Sequence, residues 1–118
     1  MWIFTPTAFV SIVAHRQKPG VLLVRARLPG DIERMFPGAK VRTTPKADYR
    51  FRAEIPRGRV ADVLRELATA LDYDNVKGAI PHGGVDETRH TAMNQVWGVM
   101  NRHQRAEALA SGLEDTAW

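Results

Sequence analysis

The strict alternation of residues 49–55 is the feature that most constrains the fold. The segment reads YRFRAEI, so every second side chain is apolar or aromatic and each one between is charged. A period of two is typical of a β-strand that buries one face and exposes the other. Such a strand needs neighbouring strands and an apolar layer above it. The chain is therefore predicted to contain an antiparallel sheet covered on one face.

The segments around this strand supply the rest of a predicted α+β domain. Strands at residues 9–16 and 21–28 flank a Pro19-Gly20 turn and form a predicted hairpin. The other predicted elements are a helix at 32–36 with Asp31 as its N-cap, a short strand at 39–42, and helices at 60–73 and from 86 to about 110. We expect a single α+β domain over 1–110, with a four-stranded antiparallel sheet (β-β-α-β-β-α-α), helices packed on one face, and a short C-terminal tail at 111–118.

Strand alternation assigns the side chains to two faces of the predicted sheet. The set predicted to lie beneath the helices is Val10, Ile12, Ala14, Leu22, Val24, Ala26, Leu28, Tyr49, Phe51, Ala53 and Ile55. The opposite set, with Phe9 as its single aromatic residue, is Ser11, His15, Arg25, Arg27, Arg50, Arg52 and Glu54, joined by Lys40 and Arg42 if the short strand pairs. The arginines cluster only if the second and fourth predicted strands are neighbours.

Charge is distributed unevenly along the chain. Residues 1–59 hold twelve Lys and Arg against four Asp and Glu, a net charge of +8, whereas residues 60–118 hold five against nine, a net charge of −4. Such asymmetry favours an anionic partner. The chain has no cysteine, which excludes a disulfide scaffold, a thiolate metal site and a cysteine nucleophile.

The arginine-rich face has three interpretations. It is a solvated face, since arginine stems cover apolar surface; a site for nucleic acid or a nucleotide, since guanidinium forks match phosphate oxygens; or a surface that docks an acidic protein. The candidate phosphate-binding residues are Arg25, Arg27, Arg50, Arg52, His15 and Arg42. Because aromatic residues are sparse on this face, phosphate contact is favoured over base reading, and the pattern is not that of an RRM.

Catalysis and metal binding have weaker signals. His15 beside arginines suits a small metal-independent nuclease, with the histidine as general base. His82, His90 and His103 lack the spacing that places two ligands on one helix face, and neither a metal nor a cofactor is predicted. The sequence favours a non-catalytic protein over an enzyme.

The terminal segments bear on localisation and partners. Residues 1–6 do not form a signal peptide, and no apolar run approaches the roughly 20 residues that span a bilayer, so a cytoplasmic protein with no membrane partner is predicted. Trp2 and Phe4 form either an edge strand or an apolar arm that docks a partner or a second copy. Trp97 is predicted to be a core residue of the last helix, with Met93 and Met100.

Several short strings resemble a group of short bacterial and prophage-encoded proteins to which no activity is assigned. The strings are WIF at 2–4, VRAR at 24–27, GDIER at 30–34, FPGA at 36–39, DY at 48–49 and VW at 96–97. The resemblance spans residues 1–104 and implies no site residues. It implies an accessory protein of a mobile element, a class that includes inhibitors of host defence complexes.

The leading hypothesis is a non-catalytic binding module that engages a phosphate-bearing ligand through Arg25, Arg27, Arg50 and Arg52. A protein–protein module is the first alternative: either a phage-type inhibitor of a host defence complex or a homo-oligomer, such as a homodimer, built on an exposed sheet edge. The nuclease that uses His15 is the second.

Overall fold

The computed structural model describes residues 1–81 and 83–112. The strands are β1 Trp2–Thr5, β2 Ala8–Ala14, β3 Val21–Ala26, β4 Arg42–Thr43 and β5 Phe51–Pro56. The helices are α1 Asp31–Met35, α2 Arg57–Thr69, α3 Val76–Ala79 and α4 Val85–Ala110. The chain divides into two compact units, Met1–Ala79 with the sheet and Ile80–Trp118 with α4. His82 and most of the predicted tail at 111–118 lie outside the described residues.

The first unit contains a five-stranded antiparallel sheet in the order β1-β2-β3-β5-β4. The α+β class and the central hairpin of β2 and β3 are confirmed. The predicted number of four strands is wrong. The segment with Trp2 and Phe4, for which an edge strand and an apolar arm were the alternatives, forms strand β1. It pairs with β2 from Trp2↔Ser11 to Thr5↔Ala8. Its pairing is extended by the Met1 carbonyl, which accepts the Ile12 N–H at 2.7 Å.

Several boundaries differ from the prediction. Helix α2 begins directly after Pro56, whose φ of −55° suits a helix start, and it ends at Thr69 instead of residue 73. Leu71, an apolar residue of the predicted helix at 60–73, lies beyond the end of α2 and is 55% exposed. Helix α3 lies in a segment for which no element was predicted, and β4 lies at 42–43 instead of 39–42.

The predicted capping role of Asp31 is wrong. Helix α1 begins at Asp31 itself, and its N-cap is Gly30 with φ +86°, a conformation that favours glycine. The Asp31 side chain is buried, where Oδ2 accepts the Phe9 N–H at 3.0 Å and Oδ1 accepts from Arg34 Nη2. Asp31 therefore ties α1 to β2, 22 residues away from it in sequence.

The core of the first unit lies between one face of the sheet and helices α1 and α2. Its fully or nearly fully buried members are Ala8, Val10, Ile12, Val24, Ala26, Ile32, Met35, Phe36, Ala53, Ile55, Val60 and Val63. The strand members all come from the predicted apolar set or continue its alternation, so that prediction is confirmed for the sheet centre. Ala14, at the end of β2, is exposed instead.

Helix α4 is the main element of the second unit. Met93 is buried, but Trp97 and Met100 are each 56% exposed, so the prediction that both are core residues is wrong. The helical period finds an apolar stripe, yet it does not reveal whether anything covers that stripe. Among the described helices, none is both long and apolar enough to cross a membrane.

Candidate anion-binding site

Three arginines lie side by side on the face of the sheet opposite the core. Strands β3 and β5 are neighbours, and Arg25 is the direct cross-strand partner of Arg52. Arg52 is in turn the partner of Arg42 on β4. We call Arg25, Arg52 and Arg42 the arginine row, and this face the open face. Strands β3 and β5 correspond to the second and fourth predicted strands, so the pairing that the predicted arginine cluster requires is present.

A cleft of about 640 Å³ runs along this row. Its lining includes all three members of the row, together with His15 and Arg16. Four of the six predicted binding residues are therefore brought together. The other two, Arg27 and Arg50, are exposed and do not line the cleft.

Arg25 occupies the centre of the open face. Its Nη2 donates to Ser11 Oγ at 2.7 Å, and Ser11 is buried at 1% exposure although its strand position faces away from the core. Arg25 forms no ion pair with any residue that the structure describes, and its buried Nε–H has no hydrogen-bond acceptor there. Unmatched buried donors are rare in folded proteins because they are costly. Arg25 thus keeps a positive charge that no carboxylate of the described residues neutralises, while Ser11 accepts from one of its N–H groups.

Tyr49 lies on the open face, so its predicted place beneath the helices is wrong. Strand β5 begins only at Phe51, and the alternation therefore does not extend back to Tyr49. The Tyr49 ring is buried against the guanidinium groups of Arg25 and Arg27, whose central carbons lie 4.5 and 4.3 Å from the ring centroid. Such cation–π contacts hold the planar groups in fixed orientations.

The segment before β5 holds the arginines further along the sheet. Arg27 Nη1 donates to the Asp48 carbonyl at 2.9 Å. Arg52 Nε donates to the Tyr49 carbonyl at 3.3 Å, and Nη2 lies 3.4 Å from the exposed Asp48 carboxylate. The Arg42 side chain is 61% exposed. Arg25 and Arg52 are therefore positioned by the fold, whereas Arg42 extends into solvent.

Glu54 introduces negative charge at one end of the cleft. Its carboxylate lies 2.7 Å from Lys18 Nζ, 3.1 Å from His15 Nε2 and 3.9 Å from Arg42 Nη1. The hydrogen bond from Lys18, followed by that from His15, lowers the pKa of Glu54 below its ordinary value of 4.5. Within the described residues, Glu54 pairs with Arg42 and Asp48 pairs with Arg52, so Arg25 is the one member of the row with no carboxylate partner.

Both ring nitrogens of His15 have partners. Nδ1 accepts the backbone N–H groups of Gln17 and Lys18, each at 3.1 Å. Since backbone N–H groups can only donate, the ring hydrogen lies on Nε2 and is donated to Glu54. A general base needs a free lone pair. The nuclease hypothesis stays a prediction, but this hydrogen bonding weighs against it and favours a positioning role for His15.

An aromatic cluster lies beside the arginine row, and sequence reasoning missed it. The Phe4 and Phe9 rings stack with centroids 4.3 Å apart, and the Trp2 ring contacts each of them edge-on, at 6.4 and 5.7 Å. Only Phe9 had been placed on this face, because β1 was not fixed as a strand. The signal available in the sequence was WIFT itself, whose alternate residues are both aromatic.

The arrangement suits anion binding more than metal binding or catalysis. No group of three or more His, Cys, Asp or Glu residues that could hold a metal ion occurs in the described part of the chain.

Comparisons of this chain with protein-family models, curated proteins and solved structures found no match.

Proposed function

We propose that this protein binds a phosphate-bearing anionic ligand, nucleic acid or nucleotide, in the cleft along the arginine row. The observation that carries the proposal is the direct cross-strand alignment of Arg25, Arg52 and Arg42. Like charges directly opposite one another on a sheet are destabilising. An anion that lies across the row offsets this repulsion, and guanidinium forks are suited to phosphate oxygens.

The contacts of the row support a prepared site. Tyr49 and Ser11 hold the Arg25 guanidinium, and the Tyr49 carbonyl holds that of Arg52. Preorganised donors lose less conformational entropy when a ligand binds. A plain solvated face would not require guanidinium groups held in this way.

The test is a titration of labelled oligonucleotides and of nucleotides, at low salt and at about 0.15 M salt. The site variant is Arg25→Glu/Arg52→Glu. The matched control is Arg57→Glu/Arg59→Glu, which makes the same change of net charge at two exposed positions in the first turn of α2, where acidic residues are favourable. We expect affinity to fall roughly tenfold or more in the site variant and by much less in the control.

An equal loss in the two double variants would contradict the proposal, since it would mean that net charge alone attracts the ligand. Arg42→Glu is a second site variant, included in case Arg25→Glu/Arg52→Glu misfolds. The Arg42 side chain is largely exposed, so its replacement should not disturb the sheet. It should weaken binding while far-UV circular dichroism stays unchanged. Failure of the wild type to bind any of the probes would also refute the proposal.

A protein–protein module is the second candidate function, and one observation favours it. Helix α4 exposes four apolar side chains, Trp97, Val99, Met100 and Leu109, each by more than half. Trp97 and Met100, three residues apart, lie on one side of the helix, and exposed apolar patches mark interaction surfaces. Apolar association would survive high salt, unlike phosphate binding. Light scattering of the wild type and of Trp97→Ser/Met100→Ser at high salt tests for a homodimer. A dimeric wild type and a monomeric variant would support this candidate. A monomeric wild type would argue against it.

A further inference from the structure

The open face joins an aromatic cluster to the arginine row in one cross-strand line. Trp2 is opposite Ser11, Ser11 is opposite Arg25, and the row continues from Arg25 to Arg52 and Arg42. With neighbouring strands about 4.8 Å apart, the line from Trp2 to Arg42 is roughly 19 Å long. It carries the Trp2 ring at one end, Ser11 next to it, and guanidinium groups at the three remaining positions.

Trp2 is unusual within this line because its indole is 63% exposed although it packs edge-on against two phenylalanines. Phe4 and Phe9 stack on each other, and both contact the indole edge-on. The result is an exposed aromatic surface held in a fixed orientation. An indole of this kind is available to stack on another flat ring.

We propose that the ligand is an unpaired nucleic-acid strand, which stacks a base on Trp2 and lays its phosphates along Arg25, Arg52 and Arg42. The inference rests on the function proposed above and adds the class of ligand. Proteins that bind single strands combine aromatic stacking with a positively charged path for the backbone. Both elements lie here on one sheet face, in one line, and that line is longer than a single nucleotide needs.

The same geometry disfavours a duplex as the preferred ligand. In a duplex the bases are already stacked on one another, so their faces are not available to Trp2. A duplex would engage the arginines through its phosphates alone. Dependence of binding on Trp2 therefore separates the two forms of nucleic acid. Phosphate charge and base faces are common to DNA and RNA, so the inference covers a single strand of either.

The experiment measures the affinity of short oligo(dT), of oligo(rU) and of a duplex of equal length for the wild type and for Trp2→Ala. The matched control is Trp97→Ala, which removes an indole of similar exposure from α4. We expect Trp2→Ala to weaken single-strand binding roughly tenfold and to leave duplex binding unchanged. Trp97→Ala should leave both unchanged, and Trp2→Phe should restore most of the single-strand affinity.

A direct readout comes from a Trp97→Phe/Trp118→Phe protein, in which Trp2 is the only tryptophan. Its fluorescence should be quenched by oligo(dT), with the same midpoint as binding. Wild-type affinity for single strands that is unaltered in Trp2→Ala would overturn the inference. If Arg25→Glu/Arg52→Glu still abolished binding in that case, the proposed phosphate site would stand and only the stacking would fail. No binding of any nucleic acid or nucleotide would overturn both.

Discussion

The two faces of the five-stranded sheet are built from the same strands yet have opposite chemistry. Val24 and Arg25 are neighbours on β3: Val24 is completely buried beneath the helices, and Arg25 is the centre of the open face. The helix-covered face is a continuous apolar layer. The open face holds its side chains through hydrogen bonds, ion pairs and ring contacts.

This difference separates the residues that stabilise the domain from those of the proposed binding site. The covered face stabilises the domain by removing apolar area from water. Polar contacts on an exposed face contribute little to stability, because water competes with them and salt screens them. The arginine row is therefore expected to act mainly in binding, and substitutions on the two faces should separate loss of stability from loss of binding.

The largest expected effect tests this division at two adjacent residues of β2. Ile12, which is 4% exposed, lies in the core, whereas its neighbour Val13 is half-buried on the open face. Ile12→Ala should lower the free energy of unfolding by about 2–5 kcal/mol, because it leaves a cavity. Val13→Ala should cost less than about 1 kcal/mol, since the side chain is only half-buried and faces the open cleft. Urea unfolding at 25 °C measures both, and equal costs would refute the division.

A smaller effect is expected at the buried carboxylate of the covered side. Asp31→Ala removes the acceptor of the Phe9 N–H and the partner of Arg34, and should cost about 1–3 kcal/mol. Asp31→Asn keeps an acceptor oxygen and should recover part of the loss. The same urea titration applies. An alanine variant as stable as the wild type would show that this tie between α1 and β2 does not stabilise the fold.

On the open face, Glu54→Gln should affect binding in the opposite direction from the arginine variants. It removes the negative charge that competes with a phosphate for Arg42 and Lys18. Affinity for oligonucleotides should rise a few-fold, with a steeper salt dependence. Glu66→Gln, which removes an exposed acidic charge on α2, is the control and should change affinity less. Weaker binding by Glu54→Gln would mean that Glu54 positions the site instead of opposing the ligand.

The smallest expected effect is the pH dependence of stability due to Glu54. Because its pKa is lowered in the folded state, its stabilising contribution is present above pH 4.5 and is lost as the pH falls through the folded-state value. The wild type should therefore lose stability relative to Glu54→Gln only below about pH 4.5. Urea midpoints measured from neutral to acidic pH test this. A constant difference across the range would show that the contacts with Lys18 and His15 do not influence folding.

The sequence predicts the α+β class and most of the two-face pattern because both follow from a local period of two. The apolar alternation around Val24 and Ala53 survives in the core. The register Arg25↔Arg52 is not local, since it depends on which strands become neighbours. Tyr49 departs from the alternation because β5 starts after it, and the chain turns there.

Three other features also depend on contacts between residues distant in sequence. The hydrogen bond between His15 and Glu54 joins residues 39 apart, and that between Phe9 and Asp31 joins residues 22 apart. The aromatic cluster needed β1 to pair with β2. The sequence thus indicates the candidate binding residues by type, whereas their grouping into a cleft required the tertiary structure.

The most direct test of the central claim is an NMR titration of the arginine side-chain Nε–H signals with a short oligonucleotide. We predict that the signals of Arg25, Arg42 and Arg52 shift together and saturate with one dissociation constant, while those of Arg57 and Arg59 move little. Arg25 should give the clearest change, because it is the one member of the row that pairs with no carboxylate among the described residues. Comparable shifts at Arg57 and Arg59, or no saturable shift along the row, would contradict an anion site on the open face.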